Sequence, residues 1–289
     1  MSTTSTENSR PVPSEHADAK QPHVFTEKLE RLSGDSSATH AVILVGGIHS
    51  NHDYFQSWVP ALSSKENVVL GFDHDHQAMP MREAAASLAG AIKELKEQGV
   101  TDITIVAHSM GGLVAKGAVD ELSRSGAAGE FNSVDLHALG TPWGGFAVGD
   151  LARYTPGSEF ISKAVGFPMG PEIGPGSDYM KSLAQPMPAN GEFHIYKGDI
   201  DNVATPAMDS TKDRYASIER NAASATDMVG FGHNDYKKAP AEVLEVSRDS
   251  PVPGFDTRDA APKMEAKAQE QDKAERVAAA EASGPAMSM

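Results

Sequence analysis

The stretch Ile103-Thr104-Ile105-Val106-Ala107-His108-Ser109-Met110-Gly111-Gly112 decides the reading of this chain. Its first five residues are apolar or β-branched, the composition of a buried strand. From Gly111 to Leu122 the apolar residues return at helical spacing. A strand that turns straight into a helix strains the residue at the bend, and the neighbours two before and two after it must be small. Ala107 and Gly111 meet that demand around Ser109. The Ser109 hydroxyl then stands at a helix start, where backbone N–H groups and the helix dipole favour developing negative charge. Ser109 is the candidate nucleophile.

Outward from this turn, other short apolar runs end at glycines or polar clusters. Ala41 to Val45 stops at Gly46-Gly47, Val68 to Phe72 at Asp73-His74-Asp75-His76, Val134 to Leu139 at Gly140, and Phe193 to Tyr196 just before Gly198. Runs of this length and composition predict buried strands. Between them, Met81 to Gln98 places Ala85, Leu88, Ile92 and Leu95 at steps of three and four and stops at Gly99, predicting an amphipathic helix. Pro240 to Val246 reads as a further helix. Strands alternating with helices predict an α/β fold, a mostly parallel central sheet with helices on both faces. Active sites of such sheets lie at the carboxyl ends of the strands.

The whole chain has 289 residues, with Lys+Arg 25 against Asp+Glu 40 and a net charge of -15. That acidity argues against nucleic acid or an anionic membrane surface as partner. No window is long and apolar enough to predict a transmembrane segment. The start lacks the basic and apolar regions of a secretory signal, so the expected location is cytoplasmic. Cys 0 removes thiol nucleophiles and thiolate metal sites together, leaving oxygen and imidazole for any chemistry. Residues 1–22 read as a disordered polar leader and residues 251–289 as a charged, helical or disordered tail. Residues 23–250 are then one catalytic domain.

At this point the residues resemble the α/β-hydrolase fold and, within it, bacterial lipase and esterase families. Four segments carry the resemblance: VILVGGIHS as oxyanion strand and loop, AHSMGG as nucleophile elbow, LGTPWGG from Leu139 to Gly145, and Gly174-Pro175-Gly176-Ser177-Asp178-Tyr179-Met180 ahead of the acid strand. Ala107 stands where the usual elbow has glycine, and Gly46-Gly47 where the usual loop has a His-Gly pair. The resemblance implies a serine hydrolase acting on carboxylic esters, with a small-molecule or lipid ester as substrate and no cofactor. It implies oxyanion donors at the backbone N–H groups of Ile48 and Met110. It also implies a chain order of serine, acid, histidine.

A serine hydroxyl needs a general base oriented by a carboxylate. Downstream of Ser109, His137 and His194 fall inside predicted strands, where a packed core histidine is the simpler reading. His233 lies in the glycine-flanked loop Gly230-Phe231-Gly232-His233-Asn234 and is the candidate base. The fifth strand ends in Asp199-Ile200-Asp201-Asn202-Val203, and the family pattern favours Asp201 as acid, with Asp199 as runner-up that fixes the turn.

Other signals carry rival readings. His108, beside the nucleophile, is expected to point away from the reacting centre in a structural role. Asp73, His74, Asp75 and His76 read either as a metal site of a metal-dependent hydrolase or as polar punctuation of a strand end. His49 reads as a loop residue or a substrate contact. Trp143 reads as core or as the wall of an acyl pocket, Trp58 as core. The insertion 152–185 reads as a lid or pocket wall, or as ordinary loop packing. A non-catalytic binding protein on a hydrolase scaffold is the alternative from another class.

Overall fold

The computed structural model describes residues 28–48, 50–75, 79–145, 170–204 and 209–238. The leader, the tail, the predicted helix 240–246, His49, His76 and the insertion up to residue 169 lie outside the described residues. The described chain forms one seven-stranded sheet in the order β1-β3-β2-β4-β5-β6-β7. Its strands are β1 (Leu29–Gly34), β2 (His40–Val45), β3 (Asn67–Phe72), β4 (Asp102–His108), β5 (Ser133–Leu139), β6 (Phe193–Gly198) and β7 (Ser224–Met228). Only β1 runs antiparallel to its neighbour; the other pairings are parallel. The two edge strands, β1 and β7, are the ones the apolar runs do not mark. Their sequences LERLSG and SATDM are polar and partly exposed, as edges must be.

The central strands are buried on both faces, which is why they read as continuous apolar runs. Alternation sorts their side chains into two cores. Ala41, Ile43 and Val45, with Ile103, Ile105 and Ala107, face one core together with α2 (Met81–Glu97) and α3 (Met110–Arg124). Val42, Leu44 and Val106 face the other, against Phe55, Trp58, Leu62, Phe231 and Tyr236. α2 buries Ala85, Leu88, Ile92 and Leu95, as their spacing predicts. It ends where Gly99 takes a φ of 94°. α3 is buried nearly all round, including Lys116 and Asp120, which pair with each other one turn apart. The Lys116 ammonium also donates to the Gln185 carbonyl at 2.8 Å, so the pair ties α3 to the last residue of the insertion.

Register brings the chemistry to one edge. Phe72 pairs with Val45, Val45 with Ala107, His108 with Leu139, and Gly198 with Met228. The loops beginning at Gly46, Asp73, Ser109, Gly140, Asp199 and Val229 therefore leave the sheet on the same side. The order β3-β2-β4 reverses direction at β2, so the β2 and β4 loops meet at a switch point, where ligand sites of open parallel sheets form. No helix among the described residues is long and apolar enough to cross a membrane.

Candidate active site

Ser109 is the bend between β4 and α3. Its φ of 55° and ψ of -130° make it the one non-glycine at positive φ among the described residues. An L-residue adopts that conformation only when its surroundings impose it. Here the Ser109 N–H donates to the Leu139 carbonyl at 2.9 Å, fixing the end of β4 to the end of β5. The β2 loop closes from the other side. A Cβ on Gly111 would stand 2.2 Å from the Gly46 carbonyl oxygen, and a Cβ on Gly47 would stand 2.7 Å from the Ser109 Cβ. Both glycines are there because two backbones must nearly touch. The Gly47 N–H donates to the Ser50 hydroxyl at 2.8 Å, and Ser50 returns a bond to the Gly47 carbonyl at 3.1 Å. With the Gly47 amide taken, the next amide along the loop is that of Ile48. Met110 is the first residue of α3, so its N–H is among those without an intrahelical acceptor.

His233 reaches Ser109 from the loop after β7. A turn formed by the Gly232 N–H to the Asp235 carboxylate (2.6 Å) and the Asp235 N–H to the Gly232 carbonyl (3.0 Å) presents it. Its Nε2 lies 2.8 Å from the Ser109 Oγ. Its Nδ1 lies 3.0 Å and 3.1 Å from the two carboxylate oxygens of Asp201. A carboxylate only accepts, so Nδ1 carries the proton and Nε2 presents its lone pair to the serine hydroxyl.

Asp201 is 1% exposed, and each of its oxygens is occupied. Oδ1 accepts the Val203 and Ala204 N–H groups at 2.9 Å and 3.0 Å. Oδ2 accepts the Tyr236 hydroxyl at 3.2 Å, which itself accepts the Gly198 N–H at 2.6 Å. Burial on its own would raise the pKa of this carboxyl. The His233 hydrogen bond and charge, with the two amides, outweigh burial and hold it below the ordinary range. The carboxylate thus stays ionised although it is out of water. Asp199 stands apart: it accepts the Gly230 N–H at 2.7 Å and, with the Asp199 and Ile200 amides bonded to Met228 and Phe231, zips the acid loop to the histidine loop.

The remaining candidates separate clearly. His137 and His194 stack on each other in the sheet at 4.6 Å and bond Tyr196 and Ser224, the packed role their strand positions suggest. Trp143, read as core or as the wall of an acyl pocket, takes the core placement: it is fully buried in the main core, edge-on to Phe193 at 5.3 Å. Asp73 is spent on structure as well. Its Oδ1 accepts the His52 N–H at 2.9 Å, and its Oδ2 stands 2.9 Å from the His52 ring. Among the described residues no three His, Asp or Glu side chains are placed to hold a metal ion.

Tyr236, Ser50 and the contacts of His108 were not legible as site features. Tyr236 follows His233 by three residues, but no spacing rule announces that its hydroxyl bonds Asp201. Ser50 reads as one more polar loop residue. The bond from His108 to the His233 carbonyl joins residues 125 positions apart.

A serine, a histidine and a buried aspartate in one hydrogen-bonded chain, at the carboxyl edge of a mostly parallel sheet, belong to the α/β-hydrolase fold, and that is the fold of this chain. Residues 35–166 match the family described as "Putative serine esterase (DUF676)", a span that contains Ser109 and ends before Asp201 and His233. Solved structures of the same fold include the type II thioesterase of the yersiniabactin NRPS/PKS biosynthetic pathway, at 14% identity and a TM-score of 0.54, covering 79% of this chain and 100% of that one. A carboxylesterase of the thaumarchaeon Nitrososphaera gargenis is similar at 13% identity and a TM-score of 0.52, over 76% of this chain and 92% of that one. An α/β hydrolase from the metagenome of Mar Chica lagoon sediments, Morocco, gives 16% and 0.51 over 78% and 94%. Among curated proteins no sequence matches.

Proposed function

We propose that this protein is a serine hydrolase of carboxylic esters, with residues 23–250 as its catalytic domain. The observation that carries the reading is the hydrogen-bonded chain from Ser109 Oγ through His233 to Asp201, with Ser109 held at positive φ. The match to a serine esterase family over the elbow supports it.

In this reading Ser109 Oγ attacks the acyl carbonyl carbon of a small-molecule or lipid ester. His233 Nε2 takes the hydroxyl proton as the C–O bond forms. Asp201 keeps the imidazole in the Nδ1–H tautomer and stabilises the imidazolium. The N–H groups of Met110 and Ile48 receive the oxyanion. His233 then returns the proton to the departing alcohol, leaving Ser109 acylated. Water, deprotonated by the same histidine, releases the acid and restores the serine. Every step uses oxygen and imidazole, so the reading calls for no cofactor.

The purified chain is expected to hydrolyse p-nitrophenyl acetate or butyrate, and Ser109→Ala to remove that activity. An active Ser109→Ala protein overturns the reading. The oxyanion assignment has its own test in Gly47→Ala. A methyl there must push the β2 loop off Ser109, carrying the Ile48 amide with it. Displacing one oxyanion donor is expected to lower kcat by about 10²-fold. Steady-state kinetics on the folded variant check this; an unchanged kcat would remove Ile48 from the assignment.

A further inference from the structure

The residue preceding the nucleophile has a use that pointing away from the reaction does not explain. His108 closes β4 and is 3% exposed. Its ring lies flat on Tyr54, with centroids 4.0 Å apart and planes 4° from parallel. It also contacts His233 at 4.8 Å and Tyr236 at 5.7 Å. Its Nε2 sits 2.8 Å from the backbone carbonyl oxygen of His233. A carbonyl only accepts, so Nε2 must carry the proton and Nδ1 must be bare. Nδ1 is buried and has no hydrogen-bond partner among the described residues. Burial, with the neighbouring His233 in second place, pushes the His108 pKa down to about 3, so the ring stays neutral at ordinary pH. A purely apolar ring would fill this space without orphaning a nitrogen. The one polar interaction this imidazole makes with a described residue is the bond to the histidine loop.

That bond and the stacking on Tyr54 together join three segments of the site. Ser109 is covalently next to His108, so the elbow that aims the serine also carries the donor that holds the main chain of the base. Tyr54 belongs to the 3-10 turn His52–Phe55, which follows the β2 loop, so the ring under His108 leads back toward Ile48. Asp201 fixes the far end of the His233 imidazole. It does not fix the height of the His233 backbone above the sheet, because the carboxylate meets the ring at Nδ1 alone.

We propose that His108 is a positioning residue: its Nε2–H holds the His233 carbonyl and thereby sets the 2.8 Å approach of the His233 Nε2 to Ser109 Oγ. The inference rests on the proposed ester hydrolysis. His108 touches no reacting atom. It acts through the placement of the base, so its loss slows the chemical step and leaves substrate binding alone.

The test compares His108→Phe, which keeps a flat ring on Tyr54 and removes the donor, with His108→Gln, whose amide reaches about as far and restores one. With p-nitrophenyl butyrate, His108→Phe is expected to lower kcat roughly 10- to 100-fold with KM changed by less than about twofold. His108→Gln is expected to recover most of that loss. A kcat for His108→Phe equal to wild type, or Phe and Gln variants equally slow, overturns the proposal, since a packing role alone would not tell the donor from the ring. Nitrogen-15 NMR of the wild type needs no variant to fold: it should find His108 as the neutral Nε2–H tautomer, and an Nδ1–H tautomer overturns the proposal. A wild type that neither hydrolyses esters nor reacts at Ser109 would instead sink the proposed function, and the NMR result would still decide whether the His108 bond exists.

Discussion

Ser109→Ala is expected to lower kcat for a p-nitrophenyl ester by about 10⁶-fold, His233→Ala by a similar factor, and the double variant by no more than either alone. The reason is mechanical. The Ser109 hydroxyl is a poor nucleophile until a base 2.8 Å away can take its proton, and that base has nothing to do once the hydroxyl is gone. Each substitution therefore removes the same step. Residual hydrolysis should come from the oxyanion amides and from holding the substrate, which none of the three variants disturbs. Steady-state kinetics of all three proteins, at matched folded concentration, check this. Losses that multiply in the double variant would show that the two side chains act independently, which their hydrogen bond does not allow.

Asp201→Asn is expected to cost about 10⁴-fold in kcat with little change in fold. Asparagine keeps a carbonyl oxygen that can accept the Val203 and Ala204 amides, so the loop retains its main anchors. Its other group is an NH₂, which meets the Nδ1–H of His233 donor to donor. The imidazole escapes that clash by moving its proton to Nε2, and then it points a proton, rather than a lone pair, at the Ser109 hydroxyl. Activity is lost through the wrong tautomer rather than through disorder. The same substitution changes acid stability in a defined direction. A carboxylate whose folded pKa is lower than its unfolded value near 3.8 contributes stability above that value and loses it as the pH falls through the folded one. The wild type should therefore lose this contribution on acidification below about pH 4, and the Asn variant should lack that part of the fall. Thermal melts at a series of pH values test it.

The parts of the site that could be read in the sequence were those encoded over a few consecutive residues. The Ser109 bend is local: an apolar strand, two small neighbours and a helix written within Ile103 to Leu122. The strands that hold it are buried on both faces, so their runs are apolar throughout and stand out. β1 and β7 lie at the sheet edges, where only part of each side-chain row is covered. Leu29 to Gly34 and Ser224 to Met228 therefore read as ordinary polar chain. Asp201 and His233 were legible through chain order and loop position, a weaker signal that leaned on the resemblance. Between Asp201 and Asp199, two residues apart, only the family pattern of the residues that follow gave a preference. The distinction arises where the β6 loop meets the β7 loop, with Asp199 bonded to Gly230 and Asp201 to His233.

Trp143 is a residue whose two readings the sequence left open. A tryptophan between Pro142 and Gly144 at the end of a strand fits a core or a pocket wall alike, and its ring turns inward onto Phe193. Backbone direction after a tight turn has no signature in the flanking residues. Tyr236 and His108 fall in the same class. Both are aromatic side chains whose one important atom finds its partner only after two distant loops close on each other.

The proposed function stands most directly on the reactivity of one hydroxyl. Incubation of the wild-type protein with a fluorophosphonate, followed by mass mapping of the modified peptide, should give a single phosphonylated site at Ser109, and His233→Ala should suppress it. An adduct at another residue, or no adduct under conditions that label a control serine hydrolase, would contradict it.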